Sequence, residues 1–111
     1  MAYDEALAAR IRSIVGDEAG VTEKKMFGGL AFLVNGNMAV AASGQGGLLV
    51  RVDPGASDEL VAATPARPMV MRGREMAGWL RIDGEHVASD GELRSWAERG
   101  VAYARSLPPK R

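Results

Sequence analysis

Two apolar runs, Leu30–Val34 and Met38–Ala42, stand on either side of Asn35-Gly36. An Asn-Gly pair favours the two-residue turn in which both central residues take positive φ, so this segment predicts an antiparallel hairpin. A sheet packed on one side normally alternates apolar with polar residues. These strands do not: Leu30, Phe32 and Val34 interleave with Ala31 and Leu33, and Met38, Val40 and Ala42 with Ala39 and Ala41. Register decides whether Phe32 lies across from Ala39 or shares a face with Val40, because a slip of one residue exchanges the faces. In either register neither face is polar. The sheet is therefore expected to be covered on both sides, by helices on one and by another helix, a loop or a second subunit on the other. A symmetric homodimer is one arrangement that meets this requirement.

Met26-Phe27-Gly28-Gly29 leads directly into the hairpin. Paired glycines mark a place where the backbone bends or passes close to a neighbour, with Phe27 expected to anchor the bend in the core. Before it, Leu7, Ile11, Ile14 and Val15 make one helical stripe over residues 4–16. Acidic Asp4 and Glu5 lie where the helix dipole favours them. After the hairpin, Ser43-Gly44-Gln45-Gly46-Gly47 reads as a turn and Leu48–Val52 as a strand. Ser57–Ala63 reads as a short helix, residues 66–77 as extended chain or loop, and Gly78–Ile82 as a last strand. Ser89 with Glu92 three residues on is a capping-box pattern. It opens a helix whose stripe is Leu93, Trp96, Ala97, Val101, Ala104 and Leu107, with Trp79 and Trp96 expected as anchors between last strand and last helix. The fold class is α+β, a mainly antiparallel sheet of four to five strands with helices at the N-terminus, middle and C-terminus, in the order α-β-β-β(-β)-α-β-α.

At 111 residues, 47% hydrophobic and 25% charged, the chain reads as one globular domain over residues 1–111, with 109–111 as a frayed tail. Fourteen basic residues balance fourteen acidic ones, so no net field draws it to nucleic acid or to an anionic membrane. The absence of cysteine excludes disulfides, a thiol nucleophile and a thiolate metal site. There is no secretory leader pattern, and no apolar run approaches the roughly 20 residues that span a bilayer. A cytoplasmic location is the expectation.

No catalytic constellation emerges. His86 is the sole histidine and has no second histidine or cysteine to complete a metal site. The acidic pairs Asp4-Glu5, Asp17-Glu18 and Asp58-Glu59 fall at helix ends and turns, not in the apolar setting an acid/base carboxylate needs. The glycine-rich 43–47 segment lacks the lysine and hydroxyl of a phosphate loop and precedes a strand, not a helix. Met69, Val70, Met71 and Met76 read as core filling rather than as a flexible binding surface. Basic residues cluster more suggestively. Arg67, Arg72, Arg74 and Arg81 against Glu75 leave a local +3, and Arg94, Arg99, Arg105, Lys110 and Arg111 against Glu98 leave +4.

Taken in order, Lys25-Met26-Phe27-Gly28-Gly29, Phe32, Asn35-Gly36-x-Met38-Ala39 and Leu48-x-Val50-Arg51-Val52-Asp53 resemble the opening of the TfoX N-terminal domain family. Met76-x-Gly78-Trp79 and Leu93-x-x-Trp96…Ala102-Tyr103-Ala104-x-x-Leu107-Pro108-Pro109-Lys110 resemble its second half. The likeness runs from about residue 4 to residue 110. It implies an α+β domain related to the competence regulators TfoX and Sxy, which help a cAMP receptor protein act at competence promoters. Those regulators carry a second domain, and Gly78-Trp79 stands where paired tyrosines are expected in the competence type. This chain thus reads as a stand-alone version.

The family brings no catalytic residues and no cofactor. The expected function is a non-enzymatic regulatory or protein-interaction domain, with a transcription regulator as one candidate partner and Arg72, Arg74, Arg94 and Arg105 as candidate contacts. Met26, Phe27, Gly28, Gly29, Asn35, Gly36, Gly78, Trp79 and Trp96 are expected in structural roles. The alternatives are a small ligand binder or enzyme built on residues 67–86, and direct nucleic-acid binding through the basic blocks.

Overall fold

In a computed structural model describing residues 3–26, 28–44, 46–71 and 73–109, with the Met71 side chain left aside, the backbone groups organise into three helices and one sheet. The order is α1 (Glu5–Val15), β1 (Val21–Met26), β2 (Gly29–Val34), β3 (Asn37–Ala42), β4 (Leu48–Arg51), α2 (Ser57–Ala63), β5 (Arg67–Met71), β6 (Arg74–Ile82) and α3 (Asp90–Ser106). The strands pair antiparallel throughout, in the spatial order β1-β2-β3-β4-β6-β5.

Local chemistry sets the element ends. The Asp4 carboxylate accepts from the Leu7 N–H at 3.1 Å and caps α1. Ser89 Oγ accepts from the Glu92 N–H at 3.2 Å and donates to the Glu92 carboxylate at 3.2 Å, starting α3. The hairpin turn forms as its residues require, with φ of +52° at Asn35 and +85° at Gly36. Ahead of it, Gly28 takes φ +76°, and a Cβ on Gly29 would come within 2.3 Å of the Ala42 carbonyl oxygen. The bend and the close approach expected of the two glycines are thus both present. Phe27 lies outside the described residues.

Phe32 pairs with Val40, and the register then shifts so that Leu33 pairs with Met38. Ala39 is the extra residue of a β-bulge. A bulge interrupts the two-residue alternation, and the apolar residues of β3 divide accordingly. Ala39, Val40 and Ala42 join Leu30, Phe32, Val34, Leu48, Val50, Leu80 and Ile82 under the helices, while Met38 and Ala41 join Ala31 and Leu49 on the opposite face.

All the helical side chains of the core belong to the first face. Leu7, Ala8, Ile11 and Val15 of α1 and Leu93, Trp96, Ala97, Val101 and Ala104 of α3 pack there, with Leu60 and Val61 of α2 half-buried beside them. The second face has a different cover. Ala31, Met38, Ala41 and Leu49 are only 1%, 5%, 5% and 6% exposed, and the half-buried side chains packed on them are Met26, Leu33, Met69 and Trp79. Among the described residues, the sheet roofs this face with its own longer side chains, and no helix contributes.

Three details differ from the sequence reading. The stretch expected as extended chain or loop forms β5 and the first half of β6, so the sheet has six strands. The β5–β6 turn is short, with φ of +77° at Gly73, and Pro68 is accommodated because β5 is an edge strand that can spare an N–H. Trp79 does not meet Trp96: it alternates with Leu80 along β6 and so falls on the second face, while Trp96 packs under α3. The described side chains of the methionine cluster are not buried, although Met69 packs on the second-face cluster. Met69 and Met76 are half-buried and Val70 is 60% exposed, as befits a sheet edge, and the Met71 side chain lies outside the description.

Helix α3 sits close to the sheet because Gly100 has no side chain. A Cβ there would lie 2.4 Å from the Ala39 carbonyl oxygen, at the bulge itself. Gly→Ala inside a helix usually gains about 1 kcal/mol. Gly100→Ala should instead lose roughly 2 kcal/mol by overpacking, read as a lower urea midpoint. Gly91→Ala, with nothing within 4 Å of the added Cβ, should be neutral or stabilising. Equal gains from both substitutions would show that α3 does not depend on this approach.

Candidate functional site

The arginines picked out by sequence are dispersed. Arg72 lies outside the described residues, and Arg74 is exposed where β6 leaves the β5–β6 turn. Arg94 and Arg105 are eleven residues apart on α3, which at 3.6 residues per turn puts them on nearly the same side, about 16 Å apart along the axis. Each is already matched. Arg94 lies 3.7 Å from Glu98, and Arg105 lies 3.2 Å from Glu18 while donating to the Ala19 carbonyl at 3.2 Å. The stripe alternates in sign rather than forming one basic patch. In the other block, Arg67 binds Asp83 at 2.5 Å, and Arg81 donates to Ser43 Oγ and the Gly46 carbonyl, each at 3.1 Å.

His86 stands in a 3₁₀ turn over Gly84–Val87, half-buried, with Nε2 3.9 Å from the Glu85 carboxylate. Ligand atoms of Asp83, Glu85 and His86 lie within 4.8 Å of one another. Arg67 already occupies the Asp83 carboxylate, so the group reads as a polar turn. Two shallow grooves flank α3. One of about 280 Å³ runs between α1 and α3 past Ile14, Val101 and Ala102, and one of about 210 Å³ lies beside Pro65, Trp96 and Arg99. Among the described residues the buried polar side chains are Asn37, Ser43 and Ser57, none of them titratable. Asn37 donates to the Pro108 carbonyl at 2.9 Å, and Ser57 Oγ accepts from the Gly78 N–H at 2.8 Å, so both serve the fold.

The second sheet face is where distinctive side chains converge. Arg51 and Trp79 are a directly opposed cross-strand pair of β4 and β6. The Arg51 guanidinium carbon lies 5.1 Å from the Trp79 ring centre and 5.8 Å from that of Tyr103 on α3. All three are half-buried. Cation–π attraction of this kind ties the C-terminal half of α3 to the far side of the sheet. Sequence reasoning missed Arg51 and Tyr103 as a pair because 52 positions separate them. The available signal was the alternation of Leu49 and Arg51, which puts the arginine on the face opposite Val50.

One surface ion pair perturbs its members. Arg12 of α1 donates to Glu23 of β1 through Nε at 2.6 Å and Nη2 at 2.7 Å. This hydrogen bonding holds the Glu23 carboxylate below its usual range and raises Arg12. A carboxylate lowered in the folded state stabilises the fold above its unfolded pKa of about 4.3 and loses that contribution as pH falls through the lowered value. Glu23→Gln should therefore be less stable than the parent at neutral pH, with the difference shrinking as the pH falls below about 4. A difference in unfolding midpoint that stays constant from neutral to acid pH would contradict this.

A family model described as the TfoX N-terminal domain matches residues 14–104. No curated protein and no solved structure matches.

Proposed function

Because this chain belongs to the TfoX N-terminal domain family, we propose that it is a non-enzymatic regulatory domain that acts by binding another protein, in bacterial transcription or competence control. The observation that carries this reading is the second sheet face. Its centre is apolar, its described cover is thin, and the hydrophobic side chains that meet solvent there are Met26, Leu33, Met69 and Trp79, with Lys24, Arg51 and Arg81 around them. Methionine and tryptophan at a half-exposed surface supply adaptable, high-area contacts.

Charge supports the same direction. Arg94 and Arg105, the candidate contacts on α3, are engaged by Glu98 and Glu18, which shifts weight from the helix to the sheet. Residues 67–86, the alternative seat for a small ligand, make an edge hairpin and a turn. No titratable group is buried among the described residues. No described helix is long and apolar enough to cross a membrane.

Crosslinking in cells followed by affinity capture tests the reading. A specific partner should be recovered, and Leu33→Glu or Met69→Glu should reduce its capture by roughly ten-fold or more, whereas Arg94→Glu should not. Failure to recover any specific partner would contradict the proposal. Capture lost with Arg94→Glu but indifferent to the sheet variants would return the contact to the outer side of α3.

A further inference from the structure

Among the described arginines, Arg10, Arg12, Arg67, Arg81, Arg94 and Arg105 each meet an oxygen acceptor. Arg51, Arg74 and Arg99 meet none, and of these Arg99 stands over the Trp96 ring alone whereas Arg51 is held by two rings, Trp79 and Tyr103. Among the described residues no unpartnered side-chain nitrogen of a half-buried residue is sealed from solvent, so the Arg51 donors open to water. This combination is selective. Rings beside a guanidinium replace the water over its plane and fix its orientation, but they leave its in-plane N–H donors free. Those donors match a planar carboxylate two at a time.

We infer that Arg51, held by Trp79 and Tyr103, is the recognition point for a glutamate or aspartate side chain that the partner protein carries beside an apolar residue. The inference rests on the interaction reading above and supplies the partner's chemistry. Leu49 lies two residues back on the same face as Arg51, and Trp79 packs against the Ala31–Met38–Ala41–Leu49 cluster. A ligand reaching the guanidinium thus crosses apolar surface on its way. Arg81 lies on the same face opposite Leu49 but is held by Ser43 Oγ and the Gly46 carbonyl, so Arg51 is the guanidinium left beside the apolar floor for a monoanion with an apolar neighbour. Trp79 and Tyr103 act here as positioning residues.

The test is a nitrogen-15 NMR titration at constant ionic strength with the peptide acetyl-Leu-Glu-Leu-amide and its glutamine counterpart, acetyl-Leu-Gln-Leu-amide. The Arg51 Nε–H and Trp79 indole N–H signals should shift saturably with the glutamate peptide, and affinity for the glutamine peptide should be roughly ten-fold lower. Arg51→Ala should abolish the response. Arg51→Lys, which keeps the charge but not the fork, should weaken it and guards against a folding defect in the alanine variant. Equal response to both peptides, no saturable shift, or full binding by either variant would overturn the site. Capture of the crosslinked partner by Arg51→Ala at the parental level would also overturn it while leaving the interaction reading intact. Recovery of no specific partner, with saturable and Arg51-dependent binding of the glutamate peptide, would do the reverse.

Discussion

The contact between Gly100 of α3 and the bulged Ala39 of β3 is the point on which the arrangement turns. The bulge turns Ala39 toward the helices and Met38 away from them, and the missing side chain at Gly100 lets α3 pass over that carbonyl without a clash. With α3 seated, its stripe from Leu93 to Ala104 and the α1 stripe from Leu7 to Val15 close over one face of the sheet. Burial of that many apolar side chains is the principal stabilising term available to a chain of this size, which has no disulfide to assist it.

Committing the helices to one face leaves the other to the sheet itself. Small residues, Ala31 and Ala41, form the floor, and Met26, Leu33, Met69 and Trp79 lie over it. The sheet's edges are blunted by different means. β1 carries Glu23, Lys24 and Lys25, and β5 carries Pro68. Charges and proline at an edge discourage strand-to-strand association. What remains suited to recognition is the broad face rather than the edges, with Arg51 fixed at one end of it by two rings.

Much of this was legible in the residues. Asn35-Gly36, the Asp4 and Ser89 caps and the α1 and α3 stripes depend on chemistry within a few positions, and each element formed where those signals put it. The apolar character of both strand faces was legible too, though not what covers the second. Three features were hidden because they arise between distant segments. The bulge at Ala39 is a matter of how β3 registers against β2, and α3 passes over it at Gly100 from the far end of the chain. The strand β5, with a proline inside it, is extended only because β6 is there to pair with it. Trp79 falls on the face away from α3 because β6 pairs with β4 in a register that gives Leu80 to the helices, and nothing local to Trp79 encodes that pairing. The basic blocks misled for a related reason: local charge sums cannot register that Glu18 meets Arg105 or that Asp83 meets Arg67 across the fold.

The helices cover one sheet face, and the second, roofed by its own side chains, meets solvent in the free protein, as the proposed partner-binding role requires. Methyl and aromatic NMR relaxation in the presence of an inert soluble gadolinium chelate tests this most directly. Signals of Met26, Leu33, Met69 and the Trp79 ring should relax strongly, while those of Phe32, Leu48, Val50 and Leu93 stay protected. Equal protection of both groups would mean that something else covers the second face, and would contradict the account.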